Sequence, residues 1–120
     1  MQKKARAEFS IFIRKRGSDG AGYNKCISCG VSQYWKEMNA GHLHHNRLDF
    51  DEMNLNPQCV RCNKWLHGNA APYTLKLIEI HGLKKVQDLE KRAKLQTSEK
   101  YHYLDLEYIY LKYKKINERV

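Results

Sequence analysis

The segment Asn54-Leu55-Asn56-Pro57-Gln58-Cys59-Val60-Arg61-Cys62-Asn63 carries one of two Cys-x-x-Cys pairs, and Cys26-Ile27-Ser28-Cys29 is the other. Together they use all four cysteines of the 120 residues. Two residues between cysteines make a tight turn that aims both sulfurs at one point. Two such turns complete a tetrahedron of thiolates around zinc. Gly30, directly after the first pair, permits the backbone that such turns often need. The rival readings are a redox Cys-x-x-Cys, which needs only one pair, and two disulfides, which a reducing cytoplasm disfavours. One structural zinc held by Cys26, Cys29, Cys59 and Cys62 is the expectation that decides the fold. A closed four-sulfur site leaves no coordination position for a substrate, so its role is to organise the chain.

Charge surrounds this centre unevenly. The chain holds 22 Lys+Arg against 13 Asp+Glu, a formal +9. Residues 1–16 carry +5, residues 17–83 are neutral, and residues 84–120 carry +4. Basic flanks attract phosphate by releasing counterions; the plainer reading of each run is a solvated surface. Hydrophobic residues at 42% suffice for a modest core, and the length suits one domain of roughly 100–150 residues. No apolar run approaches the ~20 residues of a membrane span, so no membrane partner is expected. The basic start is not followed by the apolar stretch of a secretory signal. A cytoplasmic location is expected.

Three regions follow: a basic helix and loop over 1–22, a zinc-bound core over 23–82, and a basic helical region over 83–120. Phe9, Phe12 and Ile13 give residues 2–16 an amphipathic helix, which stops at the glycine-rich stretch 17–22. Residues 23–66 show little periodicity. Asn69 is expected to cap a helix with Pro72 in its first turn, carried by Leu75, Leu77 and Ile78 and ended by Gly82. Leu83, Val86, Leu89 and Ala93 predict a second helix. Thr97 or Ser98 is expected to cap a third, with Tyr101, Leu104, Tyr108 and Leu111 along one face.

Twenty-nine residues separate the cysteine pairs, more than the ~15–20 of a plain zinc ribbon. Within them lies Ala40-Gly41-His42-Leu43-His44-His45-Asn46, whose histidines are surplus to a saturated zinc. His45 alone reads as a surface residue. Residues 54–63 resemble the second half of an HNH (ββα-metal) nuclease motif. That motif has a histidine on its first strand, an asparagine on the loop, and a histidine or asparagine after the second cysteine pair. These positions fall at His42, Asn54 and Asn63. Ala40-Gly41-His42, Gln58-Cys59-x-x-Cys62-Asn63 and Gly68-Asn69, with a helix ending at Gly82, resemble the NinG/Rap recombination proteins of lambdoid phages. Phe9–Arg16, leading into Cys26-Ile27-Ser28-Cys29-Gly30, is similar to that family too. The endonuclease VII type of junction resolvase resembles the chain more distantly.

The resemblance implies an α+β fold: a small zinc-organised ββα-metal core with helices at both termini. It also implies a phage or prophage endonuclease acting in the host cell, cutting branched, Holliday junction-like DNA with magnesium or manganese. The catalytic set carried over is His42, His44, Asn54 and Asn63, with His42 and Asn63 as candidate ligands of the catalytic cation. Arg47, Arg61 and Lys64 are expected on phosphates. Gly41 departs from the pattern, since many HNH enzymes place a metal ligand there. Either His42 is the base and another group binds the cation, or His42 is a ligand and His44 the base. Asp49, Asp51 and Glu52 are the available hard ligands. Histidine suits the base because its pKa of ~6.5 lies near working pH. Trp65 reads as a buried helix-face residue before it reads as a stacking platform. The segment 98–119 is expected to pair two copies into a homodimer, the alternative being that it folds back on its own zinc core and leaves a monomer that dimerises only on DNA. The competing functions are a zinc-organised DNA-binding module without catalysis and a protein-interaction zinc domain.

Overall fold

The computed structural model describes residues 1–95 and 101–119. Helix α1 (Gln2–Lys15) buries Ala5, Phe9 and Ile13, the face that its apolar spacing predicts. Strands β1 (Tyr23–Lys25) and β2 (Ser32–Tyr34) form a short antiparallel hairpin that brackets the first cysteine pair. A 3₁₀ turn (Trp35–Glu37) leads into β3 (Asn39–His42). After a loop, β4 (Leu55–Gln58) returns antiparallel to β3, with Asn39 opposite Gln58 and His42 opposite Leu55. A π-helical turn (Arg61–Trp65) carries Cys62. Helices α2 (Ala70–His81), α3 (Leu83–Leu95) and α4 (Tyr103–Glu118) complete an α+β chain with two small sheets.

Three apolar clusters hold these parts. Tyr73 and Leu77 of α2 meet Val86, Leu89 and Ala93 of α3 and Leu43 and Leu48 of the β3–β4 loop. Phe9 and Ile13 of α1 meet Leu55 of β4 and Tyr113 of α4. Cys26, Cys59 and Cys62 pack with Met38. Phe9 has Tyr113 at 4.8 Å and Phe50 at 5.5 Å in edge-on contacts, a geometry that favours aromatic rings. The last helix therefore folds back on the first. Helices α1 and α4 thus pack together on β4.

Several helix details depart from the sequence reading. α2 buries Tyr73 and Leu77, while Leu75 is exposed. Asn69 begins α2 with a left-handed backbone and no side-chain cap. Its amide serves Cys62 instead, donating from Nδ2 to Sγ at 3.5 Å. Thr97 and Ser98 lie outside the described residues; α4 begins after His102, whose Nδ1 accepts from the Leu104 amide. On α4 the buried residues are Leu106 and Tyr113, and Leu104, Tyr108 and Leu111 face outward.

Candidate metal centre and histidine cavity

The β1–β2 hairpin and the turn after β4 bring Cys26, Cys29, Cys59 and Cys62 together, their sulfurs all within 4.8 Å of one another. Cys29 and Cys59 Sγ are 3.8 Å apart. A regular tetrahedron with metal–sulfur bonds of about 2.3 Å has edges of about 3.8 Å, so the donor set fits zinc. Among the described residues this is the one group of three or more His, Cys, Asp or Glu side chains close enough to share an ion. Backbone amides point at the sulfurs: Cys29 N–H at Cys26 and Cys62 N–H at Cys59, both at 3.5 Å. Burial pushes the Cys62 thiol up to about 12 and raises Cys59. At Cys26 burial acts the same way, but hydrogen bonds from the backbone at Cys29, Cys59 and Ser28 outweigh it and bring the thiol down to about 7. Cys26, Cys59 and Cys62 are buried and Cys29 is exposed; thiolates this close repel one another unless a cation sits among them, as a metal does.

Opposite faces of the β3–β4 hairpin serve different ends. Gly41 faces Gln58: a Cβ at Gly41 would lie 1.9 Å from Gln58 Oε1. Gln58 is fully buried, with Nε2 donating to Gly68 O at 2.6 Å and Ser28 Oγ at 2.9 Å. The position where many HNH enzymes carry a metal ligand is thus filled by a neighbour's side chain, and only glycine fits it. Tyr73 reaches the same region and donates from its hydroxyl to Gly41 O at 2.7 Å.

His42 lies on the other face, in a cavity of about 390 Å³ with Arg6, Ser10, His45 and Asp49. Its Nε2 is 3.2 Å from Asp49 Oδ1, and Arg6 holds the other Asp49 oxygen at 2.8 Å. The His45 ring stacks at 6.4 Å. Burial lowers the His42 pKa, with Asp49 pulling the other way and His45 and Arg6 adding to the decrease. The net direction keeps the imidazole neutral near neutral pH, the state a general base needs.

Asn54 holds the loop after His42. It is fully buried; its Oδ1 accepts from His44 N–H at 2.9 Å, and its Nδ2 donates to the carbonyls of His44, Arg47 and Leu48. It orients this segment through the backbone, not through the His42 ring. Asp51 is spent on the turn, accepting from the Met53 and Asn54 amides and pairing with Arg92. Glu52 accepts from Tyr113. Of the three carboxylates considered, Asp49 alone lines the cavity with His42.

The remaining candidates are dispersed. His44 turns into another cavity, its Nε2 3.2 Å from Glu90 of α3 in an approach that makes no hydrogen bond. Asn63 and Lys64 line a third cavity, which shares only Ser10 and Ala40 with that of His42. Arg47 donates to Ala93 O at 2.7 Å and is anchored to α3. Arg61 is exposed. Trp65 is 77% exposed, against the expectation of a buried residue. Sequence reasoning missed Arg6, which lies 36 residues from His42; its only signal was the basic face of α1.

The sequence model of the bacteriophage lambda NinG protein family matches residues 1–119. The chain belongs to the NinG family. It is 39% identical to protein ninG of Salmonella phage P22 over 106 residues, which are 81% of this chain and 49% of that protein. It is 37% identical to protein ninG of Escherichia phage lambda over 94 residues, 73% of this chain and 43% of that one. The chain spans about half the length of these NinG relatives. No solved structure matches it. No described helix is long and apolar enough to cross a membrane.

Proposed function

We propose that this NinG chain is a metal-dependent endonuclease of the HNH type that cuts branched DNA in phage recombination. The observation that carries this reading is His42, held toward neutrality and paired with Asp49, in an open cavity on a hairpin tied to a four-cysteine cluster. The order of β3, β4 and the helical turn with Cys62 and Asn63 supports the reading of a ββα-metal core in which the cysteines would hold a structural zinc.

Phosphodiester hydrolysis needs a water deprotonated for in-line attack and charge neutralised on the leaving oxygen. A carboxylate accepts only, so Asp49 accepts a hydrogen bond from the Nε2–H of His42, and Nδ1 keeps the lone pair that removes the water's proton. Asp49 would hold magnesium or manganese in place of the side chain that Gly41 lacks, since such cations prefer oxygen and need few protein ligands. That cation, when bound, supplies Lewis-acid stabilisation of the phosphate and the leaving oxygen. Arg6 would fix Asp49 and add positive charge at the cavity rim. Asn54 keeps the loop in place, and Arg61 and Lys64 would contact flanking phosphates.

The test is cleavage of a labelled four-way junction by zinc-loaded protein, with and without magnesium or manganese. His42→Ala should abolish cutting while zinc content and junction binding persist, whereas His44→Ala should leave most activity. Wild-type rates in the His42 variant would refute the assignment. A protein that binds the junction and never cuts it would be the non-catalytic module instead. A junction has two strands to cut, so two matched sites suit it, and Leu104, Tyr108 and Leu111 offer a pairing face for a homodimer. A monomer by light scattering at high concentration would exclude a dimer in the absence of DNA.

A further inference from the structure

Beside the histidine cavity, the one lined by Asn63 and Lys64, of about 480 Å³, opens between α1, the 3₁₀ turn, β3 and the π-helical turn. Every charged group lining it is a cation: Arg14, Lys36 and Lys64. Among the described residues none of the three has an ion-pair partner. They come from three separate elements, so tertiary structure and not a basic run of sequence gathers them. Arg14 and Lys36 both lie over the Trp35 ring, at 5.2 and 5.6 Å, which fixes where their charges sit. Burial lowers the Arg14 pKa, the mark of a cation losing water without gaining a carboxylate. Asn39 Nδ2 is buried and has no acceptor, a state that native structures rarely leave unexplained.

Arg14 Nε donates to Ser10 O and Oγ, yet three cations without a carboxylate, with the Asn39 side chain in the same lining, are what an oxyanion needs. We propose that this cavity takes a backbone phosphate of a nucleic-acid strand, next along the strand from the phosphate at His42. The proposal rests on the nuclease reading for its choice of ligand source. The two cavities meet at Ser10 and Ala40, so one strand can cross both. Trp65, exposed directly after Lys64, offers a face on which an unpaired base can stack. Arg14, Lys36 and Asn39 thus join Lys64 as strand-positioning residues.

Binding of zinc-loaded full chain to a fluorescent four-way junction, measured without magnesium over a salt series, tests this. The double variant Lys36→Ala/Lys64→Ala should weaken affinity at least tenfold near 0.1 M salt and flatten the log–log salt slope by about 2. Asn39→Asp, which sets a carboxylate in the cavity at constant volume, should weaken binding to a similar extent. The control Lys76→Ala/Lys84→Ala removes the same charge from α2 and α3 and should bind nearly as the wild type does. Zinc content and circular dichroism verify folding of each. Equal affinity and slope for the two double variants would overturn the proposal, because binding would then follow total charge. Inorganic phosphate that shifts the Asn39 NMR signals, with strand affinity intact in Asn39→Asp, would assign a free anion and overturn the strand. Weak binding by the cavity variants beside a wild type that never cuts would keep this site and remove the nuclease reading. Cutting by the wild type with unchanged binding by the variants would do the reverse.

Discussion

The cysteine end and the histidine end of the β3–β4 hairpin are built by different means. At the cysteine end, two short turns aim four sulfurs at one point, and within each pair an amide three residues on faces the first sulfur: Cys29 N–H faces Cys26 and Cys62 N–H faces Cys59. At the histidine end, the geometry depends on buried amides and a phenol that reach far along the chain. Asn54 binds the loop backbone at three residues, Gln58 fills the space beside Gly41, and Tyr73 closes on Gly41 from α2. One end is fixed by a metal-ligand pattern and the other by satisfied polar burial. The first should fail all at once, the second piece by piece.

The largest effect separates them outright. Removing the metal with a strong chelator, or Cys62→Ser, should unfold the whole chain, because structural zinc contributes roughly 10–16 kcal/mol to folding in small domains. Elemental analysis of protein purified without added metal should give about one zinc per chain. Zinc-free protein with native circular dichroism would erase the contrast.

Asn54→Ala should come next, at about 1–3 kcal/mol for each orphaned buried group. Denaturant unfolding should show the loss, while zinc content stays at the wild-type level. If zinc is lost as well, the two ends form a single unit.

Gly41→Ala tests the close contact with Gln58. Overpacking of this kind costs about 1–3 kcal/mol. The double variant Gly41→Ala/Gln58→Ala should not recover it fully, since Gly68 O and Ser28 Oγ would lose their partner. Full recovery would mean that Gln58 only fills space.

The smallest effect is read by NMR titration of zinc-loaded, magnesium-free protein. Burial holds His42 below its ordinary 6.5, so its midpoint should lie below that value. Asp49 raises it, so Asp49→Asn should move the midpoint further down. The folded state takes up this proton less readily than the unfolded chain does. His42 therefore costs stability as pH falls through 6.5, and the cost stops growing below its folded pKa. A midpoint above 6.5 would make His42 a charged anchor and remove it as the base.

The sequence by itself determined the cysteine cluster, because ligand spacing within a Cys-x-x-Cys turn is a local property that survives any tertiary arrangement. It also determined α1 and α3, whose apolar spacing matches the buried Phe9 and Ile13 and the buried Val86, Leu89 and Ala93. The candidates His42 and Asn54 were read from a resemblance to a family motif, since their neighbours in sequence carry the pattern. The partners of His42 were not. Arg6 arrives from α1, and Asp49 became distinct from Asp51 and Glu52 only when those two found amides, Arg92 and Tyr113. Asn69 reads as a cap from its residue type, but its amide goes to a sulfur that the fold brings near. Trp65 and Tyr73 make the same point from opposite sides, the tryptophan left outside and the tyrosine fully buried. Residue type sets what a side chain can bond to; which groups lie within about 3 Å, and whether water reaches them, is settled by packing between distant segments.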